Sequence, residues 1–206
     1  MGKKNYFVLL CFLFTAAIAN NNHENYSLMD DFYMNLHVHK DSVADISDKY
    51  MKSVLGYDFS SRYSDSDEEI IDSDGDIYSI DVEIYKDFDN YYAIKKIIYF
   101  AFMASGNVDI IADCVFENNK IKWINVYESS NLESFSEPGS EYTESCYRFY
   151  FDDDEKCIIS RTKSKTGSIE DMESVSKALD SIEFSEDPIP NNNILLEIKK
   201  ILDLCK

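Results

Sequence analysis

From Ile77 to Tyr85 the chain alternates without a break: Tyr78, Ile80, Val82 and Ile84 are apolar, and Ser79, Asp81 and Glu83 between them are polar. A period of two marks a strand with one face buried and the other wet. Such a strand needs partners, and the sequence that follows supplies them. Tyr91 to Ala104 is nearly continuous in apolar residues, and its β-branched and aromatic content favours a buried strand over a buried helix. Val108 to Glu117 and Lys120 to Glu128 flank Asn118-Asn119, a two-residue hairpin signal because Asn tolerates positive φ. Cys146 to Phe151 and Cys157 to Arg161 flank the acidic turn 152–156, which predicts a second hairpin.

Helical periodicity appears only outside this stretch. After a short strand expected over 32–40, Asp41 is placed to cap a helix bearing Val43, Ile46, Tyr50 and Val54, with Gly56 as its stop. Near the end, Ser168 and Asp171 resemble a capping box ahead of Ile169, Met172, Val175, Leu179 and Ile182. Pro188 and Pro190 interrupt the chain. Asn193 then precedes a last stripe of Ile194, Leu195, Ile198, Ile201 and Leu202. The expected fold class is α+β: an antiparallel sheet of about five to six strands, an N-terminal helix and two C-terminal helices, all packed on one face. The expected organisation is a signal peptide over 1–19, a polar tail over 20–31, and a single domain over 32–206.

Lys3 and Lys4, the apolar run Tyr6 to Phe14, and the small residues Ala17 and Ala19 make up the signal-peptide pattern. Export implies an oxidising compartment, so Cys114, Cys146, Cys157 and Cys205 are expected to form two structural disulfides. Cys11 falls in the signal. A hairpin turning at 152–155 would set Cys157 opposite Tyr150 and Cys146 opposite Arg161, directing the bridges to Cys114 and Cys205 rather than between the two. Asn25, in Asn25-Tyr26-Ser27, is the glycosylation sequon.

Charge narrows the function classes. Thirty-nine acidic side chains against 20 basic ones leave a formal charge of -19. Nucleic acid is disfavoured, because affinity for phosphate needs clustered Lys and Arg. Docking on an anionic membrane is disfavoured for the same reason, and no membrane insertion is expected once the signal is removed. Basic proteins are the favoured partners. The acidic run holding Asp65, Asp67, Glu68 and Glu69 is the first candidate binding surface, with Ser64 and Ser66 as phosphorylation candidates. Trp123 and Tyr127, on one expected strand, are the aromatic candidates. The run Asp72 to Asp76 fails as a calcium loop, because Ile70 stands where the first oxygen ligand belongs. His37 and His39 would share a strand face but lack a third ligand, so no metal is expected.

Nucleophile elbow, phosphate loop, zincin and dinucleotide motifs are all missing from the sequence, and no cofactor or catalytic residue is assigned. The richness in Asn, Ile, Lys, Tyr and Asp is that of AT-rich coding sequence, which associates the chain with secreted host-interaction proteins. The expected function is a secreted, acidic, non-enzymatic binding protein of host-interaction or immune-modulator type, engaging a basic protein ligand. The alternatives are a secreted hydrolase with a carboxylate pair and a surface or structural coat component.

Overall fold

The structure, a computed structural model, describes residues 22–55, 70–71, 77–103, 106–132, 141–187 and 193–205. Two compact units make up the chain, Met1–His37 and Val38–Lys206. In the first, helix α1 (Asn22–Met34) occupies residues expected to be a polar tail and the start of a strand. Its last turn is tied by the Asn35 side chain, whose Nδ2 donates to the Asp31 carbonyl at 2.7 Å.

The second unit is a sheet. Its strands are β1 (His39–Asp45), β2 (Ile70–Ile71), β3 (Ile77–Lys86), β4 (Tyr92–Met103), β5 (Gly106–Glu117), β6 (Lys120–Leu132), β7 (Glu141–Phe151), β8 (Cys157–Ser168) and β9 (Ser185–Asp187). They lie in the order β1-β3-β4-β5-β6-β7-β8-β9, with β2 paired off this path to β3, and every pairing is antiparallel. The antiparallel α+β expectation holds, but the strand count of five to six falls short of the nine. Strands β1 and β9 lack an apolar face to announce them, and β2 is only two residues long. All seven residues of β1 are exposed, and an edge strand can be polar on both sides. The early part of β7 and the late part of β8 are joined by hydroxyls instead: Thr143 to Thr166 at 2.9 Å and Ser145 to Ser164 at 3.0 Å.

The helices also differ from expectation. Asp41 lies in β1 and caps nothing; helix α2 (Ser47–Tyr50) begins six residues later and continues as a π turn over Met51–Leu55. Asp45 Oδ1 accepts from the Ser47 amide at 2.9 Å, and Ser47 Oγ in turn takes the Ile80 amide at 2.8 Å, which fastens the turn to β3. Ser168 Oγ accepts from the Glu170 amide at 3.3 Å, so the expected start signal is real. It opens a 3₁₀ turn (Ile169–Asp171) before helix α3 (Met172–Asp180). Helix α4 (Asn193–Leu204) matches its predicted stripe.

Helices cover both faces of the sheet rather than one. Strand parity assigns Ile80, Val82, Ile97, Ala112, Ile124, Val126 and Phe149 to one face, where they form the core with Leu195, Ile198, Ile201 and Leu202 of α4 and with Ile46, Tyr50 and Met51. Burying each such aliphatic side chain contributes about 1.5–3 kcal/mol. The opposite face, over β7 and β8, carries α3. There Ser176 Oγ donates to Glu144 at 2.5 Å, and Lys163 Nζ donates to the Leu179 carbonyl at 3.0 Å. Just beyond α3, the Phe184 ring receives Arg148 at 4.2 Å, Lys163 at 5.2 Å and Arg161 at 5.3 Å, a cation–π anchor for the returning chain.

The same parity corrects the disulfide expectation. All four described cysteines are free thiols. Cys114 belongs to the α4-face core and Cys157 and Cys205 pack against it, while Cys146 is opposite Tyr127 and Lys163 on the α3 face. Two bridges would need all four sulfurs, and the sheet stands between Cys146 and the rest. The expected hairpin register shifts as well: Cys157 faces Phe151, and Arg161 faces Arg148.

Two outcomes follow from this packing. A Cβ on Gly167 would stand 2.6 Å from Val175 Cγ2, so α3 sits as close to β8 as it does because residue 167 has no side chain. Gly167→Ala should lower stability by about 1–3 kcal/mol in chemical denaturation, and adding Val175→Ala should restore part of the loss. Unfolded without reductant, the protein should alkylate at Cys114, Cys146, Cys157 and Cys205 by intact mass. In the native state these thiols should react slowly, because burial raises each above the usual thiol range.

Candidate functional site

Consecutive hairpins of an antiparallel meander turn alternately at its two ends, so three turns share one end: 87–91, 118–119 and 152–156. Each is built by its own polar residues. In the first, Asp87 Oδ1 accepts from the Tyr92 amide at 3.1 Å, and Asn90 takes φ 53°. In the second, Asn118 and Asn119 adopt φ 51° and 63°, the positive values expected of that pair. In the third, Asp152 Oδ1 accepts from the amides of Asp154 (3.0 Å) and Lys156 (2.9 Å), and Glu155 takes φ 59°.

The three turns are joined to one another. The Asn118 amide donates to the Tyr91 carbonyl at 3.0 Å, and Tyr91 Oη donates to Glu117 Oε1 at 2.8 Å. On the other side, Glu155 Oε1 accepts from the Ile121 amide at 2.8 Å, and Lys120 Nζ donates to the Asp153 carbonyl at 2.8 Å. Lys122 pairs with the Asp153 carboxylate and holds it below the usual carboxylate range, by hydrogen bond first and by charge second. The result is a connected end surface in which Asp87, Asp89, Glu117 and Asp152 to Glu155 outnumber Lys120, Lys122 and Lys156.

Phe88 projects from this surface with 90% of its area exposed, its ring 5.6 Å from that of His39. An aromatic ring so fully displayed gains nothing for the fold, whereas a partner that covers it removes apolar area from water. Asp89 is exposed at the tip of the same turn, and Asp154 at the tip of the 152–156 turn farther along the same end of the sheet. Charge and an apolar contact therefore share one surface.

Asp65, Asp67, Glu68 and Glu69 lie outside the described residues, as do Ser64, Ser66 and the run 72–76. Trp123, for which packing in the core or hairpin is the first expectation and a binding contact the sharper one, is 1% exposed and directly opposite the buried Tyr150, on the face that strand parity gives it. Tyr127 is partly buried and bonded: it shares the Glu144 carboxylate with Tyr142 and Ser176. Burial and Glu144 together push the Tyr127 hydroxyl well above the usual phenol range. Its role is to latch β6, β7 and α3 together. Asn25 lies within α1 rather than in a tail.

The tip surface escaped sequence reading because its carboxylates are far apart in the chain from turn to turn, from Asp89 to Glu117 and from Glu117 to Asp152. Phe88, an apolar residue between Asp87 and Asp89 in a turn, was the available signal. Among the described residues no group of three His, Cys, Asp or Glu side chains is arranged to hold a metal, and no helix is long and apolar enough to cross a membrane. No protein-family model, no curated protein and no solved structure matches the chain.

The Glu144 latch has a pH signature. Burial pulls its carboxyl upward, but donation from Ser176, Tyr142 and Tyr127 outweighs this and leaves it below the ordinary glutamate value of 4.5. A depressed carboxyl contributes stability that is complete above its unfolded value and is lost as pH falls through the folded one. Glu144→Gln should cost about 1–3 kcal/mol at neutral pH. The stability gap between variant and wild type should then narrow below pH 4.5, as read from urea unfolding across the acid range.

Proposed function

We propose that this chain is an exported, acidic, non-enzymatic binding protein of host-interaction or immune-modulator type, and that it engages a basic protein ligand through the hairpin-tip surface. The observation that carries the reading is Phe88, 90% exposed between Asp87 and Asp89 on the first of three acidic turns that share one end of the sheet. Carboxylates there steer a basic partner into encounter, while the aromatic ring supplies contact area that is retained only once the partner has docked. The turns are preorganised by their own hydrogen bonds, so binding need not pay for ordering them. The overall charge of -19 acts in the same direction, drawing cations and repelling other acidic macromolecules. The signal-like segment at the N-terminus supports export to a place where such a partner is met.

Surface plasmon resonance against a panel of small basic proteins, with acidic proteins of matched size as controls, tests this reading. Binding should be confined to basic members, with association slowing as ionic strength rises. Neutralising Asp89 and Asp154 together (D89N/D154N) should slow association several-fold and flatten that salt dependence, leaving dissociation nearly unchanged. Phe88→Ala should instead hasten dissociation by about tenfold, equivalent to about 1.4 kcal/mol. Equal binding by acidic and basic members, or binding that neither variant alters, would remove the proposal.

A further inference from the structure

Among the described residues strand β1 is the outermost strand of the sheet, exposed at all seven of its residues, whereas the opposite margin ends in β9, only three residues long. The hydrogen-bond pattern shows which backbone groups of β1 face outward. The Ile46 amide donates to the Ile80 carbonyl at 2.9 Å, and in the same register Ala44 is opposite Val82 and Asp45 opposite Asp81. In an antiparallel ladder, bonded and non-bonded pairs alternate. Ser42 and Ala44 therefore point their N–H and C=O groups toward β3, as Ile46 does its N–H, and Val43 and Asp45 point theirs away from it. A sheet margin with outward donors and acceptors is a template for another strand.

Side chains state what kind of strand fits. Val43 and Asp45 share a face with Asp81 and Glu83, their cross-strand partners. Asp45, Asp81 and Glu83 thus share this margin; Lys40, paired at 2.5 Å, and Lys96, opposite on β4, both serve Glu83, and Lys86 pairs with Asp41 at 2.9 Å, which leaves Asp45 and Asp81 facing each other. The crowding is felt within the chain: burial first, then the charges of Asp45 and Glu83, raise the Asp81 carboxyl above its ordinary value. An incoming lysine or arginine beside Asp45 and Asp81 would relieve that repulsion. A second copy of this chain would bring a further formal charge of -19 to the same margin. At its His39 end β1 adjoins Phe88, so the margin continues into the tip surface.

We propose that β1 is a strand-addition edge that takes an extended, lysine- or arginine-bearing segment of the basic partner, hydrogen-bonded to the outward N–H and C=O of Val43 and Asp45. This rests on the reading of the chain as a binder of basic proteins and names the mode of docking. Main-chain bonds hold the segment, and the carboxylates select its charge.

The test uses the full chain and a nine-residue peptide alternating lysine with valine. Its controls are the same peptide with glutamate for lysine and a version N-methylated on alternate residues, which cannot complete a ladder. Amide exchange is read by NMR. The lysine peptide should slow exchange at Val43 and Asp45 at least tenfold, and neither control should do so. Val43→Pro removes an outward N–H that the β1–β3 ladder does not use, so it should abolish the effect while thermal stability stays close to wild type. If that variant fails to fold, the N-methylated peptide decides alone. Slowing confined to residues 88–90 and 153–155 would overturn strand addition and leave the tip-surface reading standing. A lack of slowing anywhere, with no basic protein bound on the sensor surface, would remove both. A mass that doubles with concentration in the absence of peptide, and not in the Val43→Pro variant, would assign the edge to a second copy and overturn the proposal.

Discussion

Antiparallel pairing from β3 to β8 holds each strand in register with the next, so the parity of one residue on β3 dictates which side chains on β8 share its face. Ile80 is opposite Tyr99, Tyr99 opposite Ile110, and Ile110 opposite Glu128, and the row continues through Ser145 to Ser164. The apolar members of such rows meet α4, and a slip of one residue would turn them all to the other side. The cysteines are sorted by the same rule. Cys114 and Cys146 are separated by the thickness of a sheet, whatever their chemistry would otherwise allow.

The α3 side of the sheet depends on closer and more polar contacts. Gly167 brings Val175 onto β8, and Glu144, 2% exposed, collects hydroxyls from two strands and a helix. A buried carboxylate is costly unless donors surround it, and here they do so well enough to keep it ionised. Tyr127 commits its hydroxyl to that arrangement. The turn tips and the outer side of β1 are regions that the ladder does not recruit.

Those two regions have different physical characters. Tips are rigid because their own carboxylates cap their amides, so the acids do structural work in Asp87 and Asp152 and remain outward in Asp89 and Asp154. The β1 margin offers backbone groups, and its acids stand at the side. One surface suits encounter and the other suits extended contact, and His39 with Phe88 lies where they meet.

Much of the sheet was legible in the sequence, because a half-buried strand must alternate and a two-residue turn must tolerate positive φ. Tyr78 to Ile84 and Asn118-Asn119 carry those requirements on their face. The α4 stripe was legible for the same reason, since a period of 3.6 leaves few other ways to bury Leu195, Ile198 and Ile201. What alternation cannot reveal is an element with no apolar side, so polar β1, the hydroxyl-paired ends of β7 and β8, and short β9 went unseen. Local sequence was equally silent on the face reached by each cysteine and on the convergence of three distant acidic turns. Each depends on register summed over several strands, a long-range quantity that only the folded sheet decides.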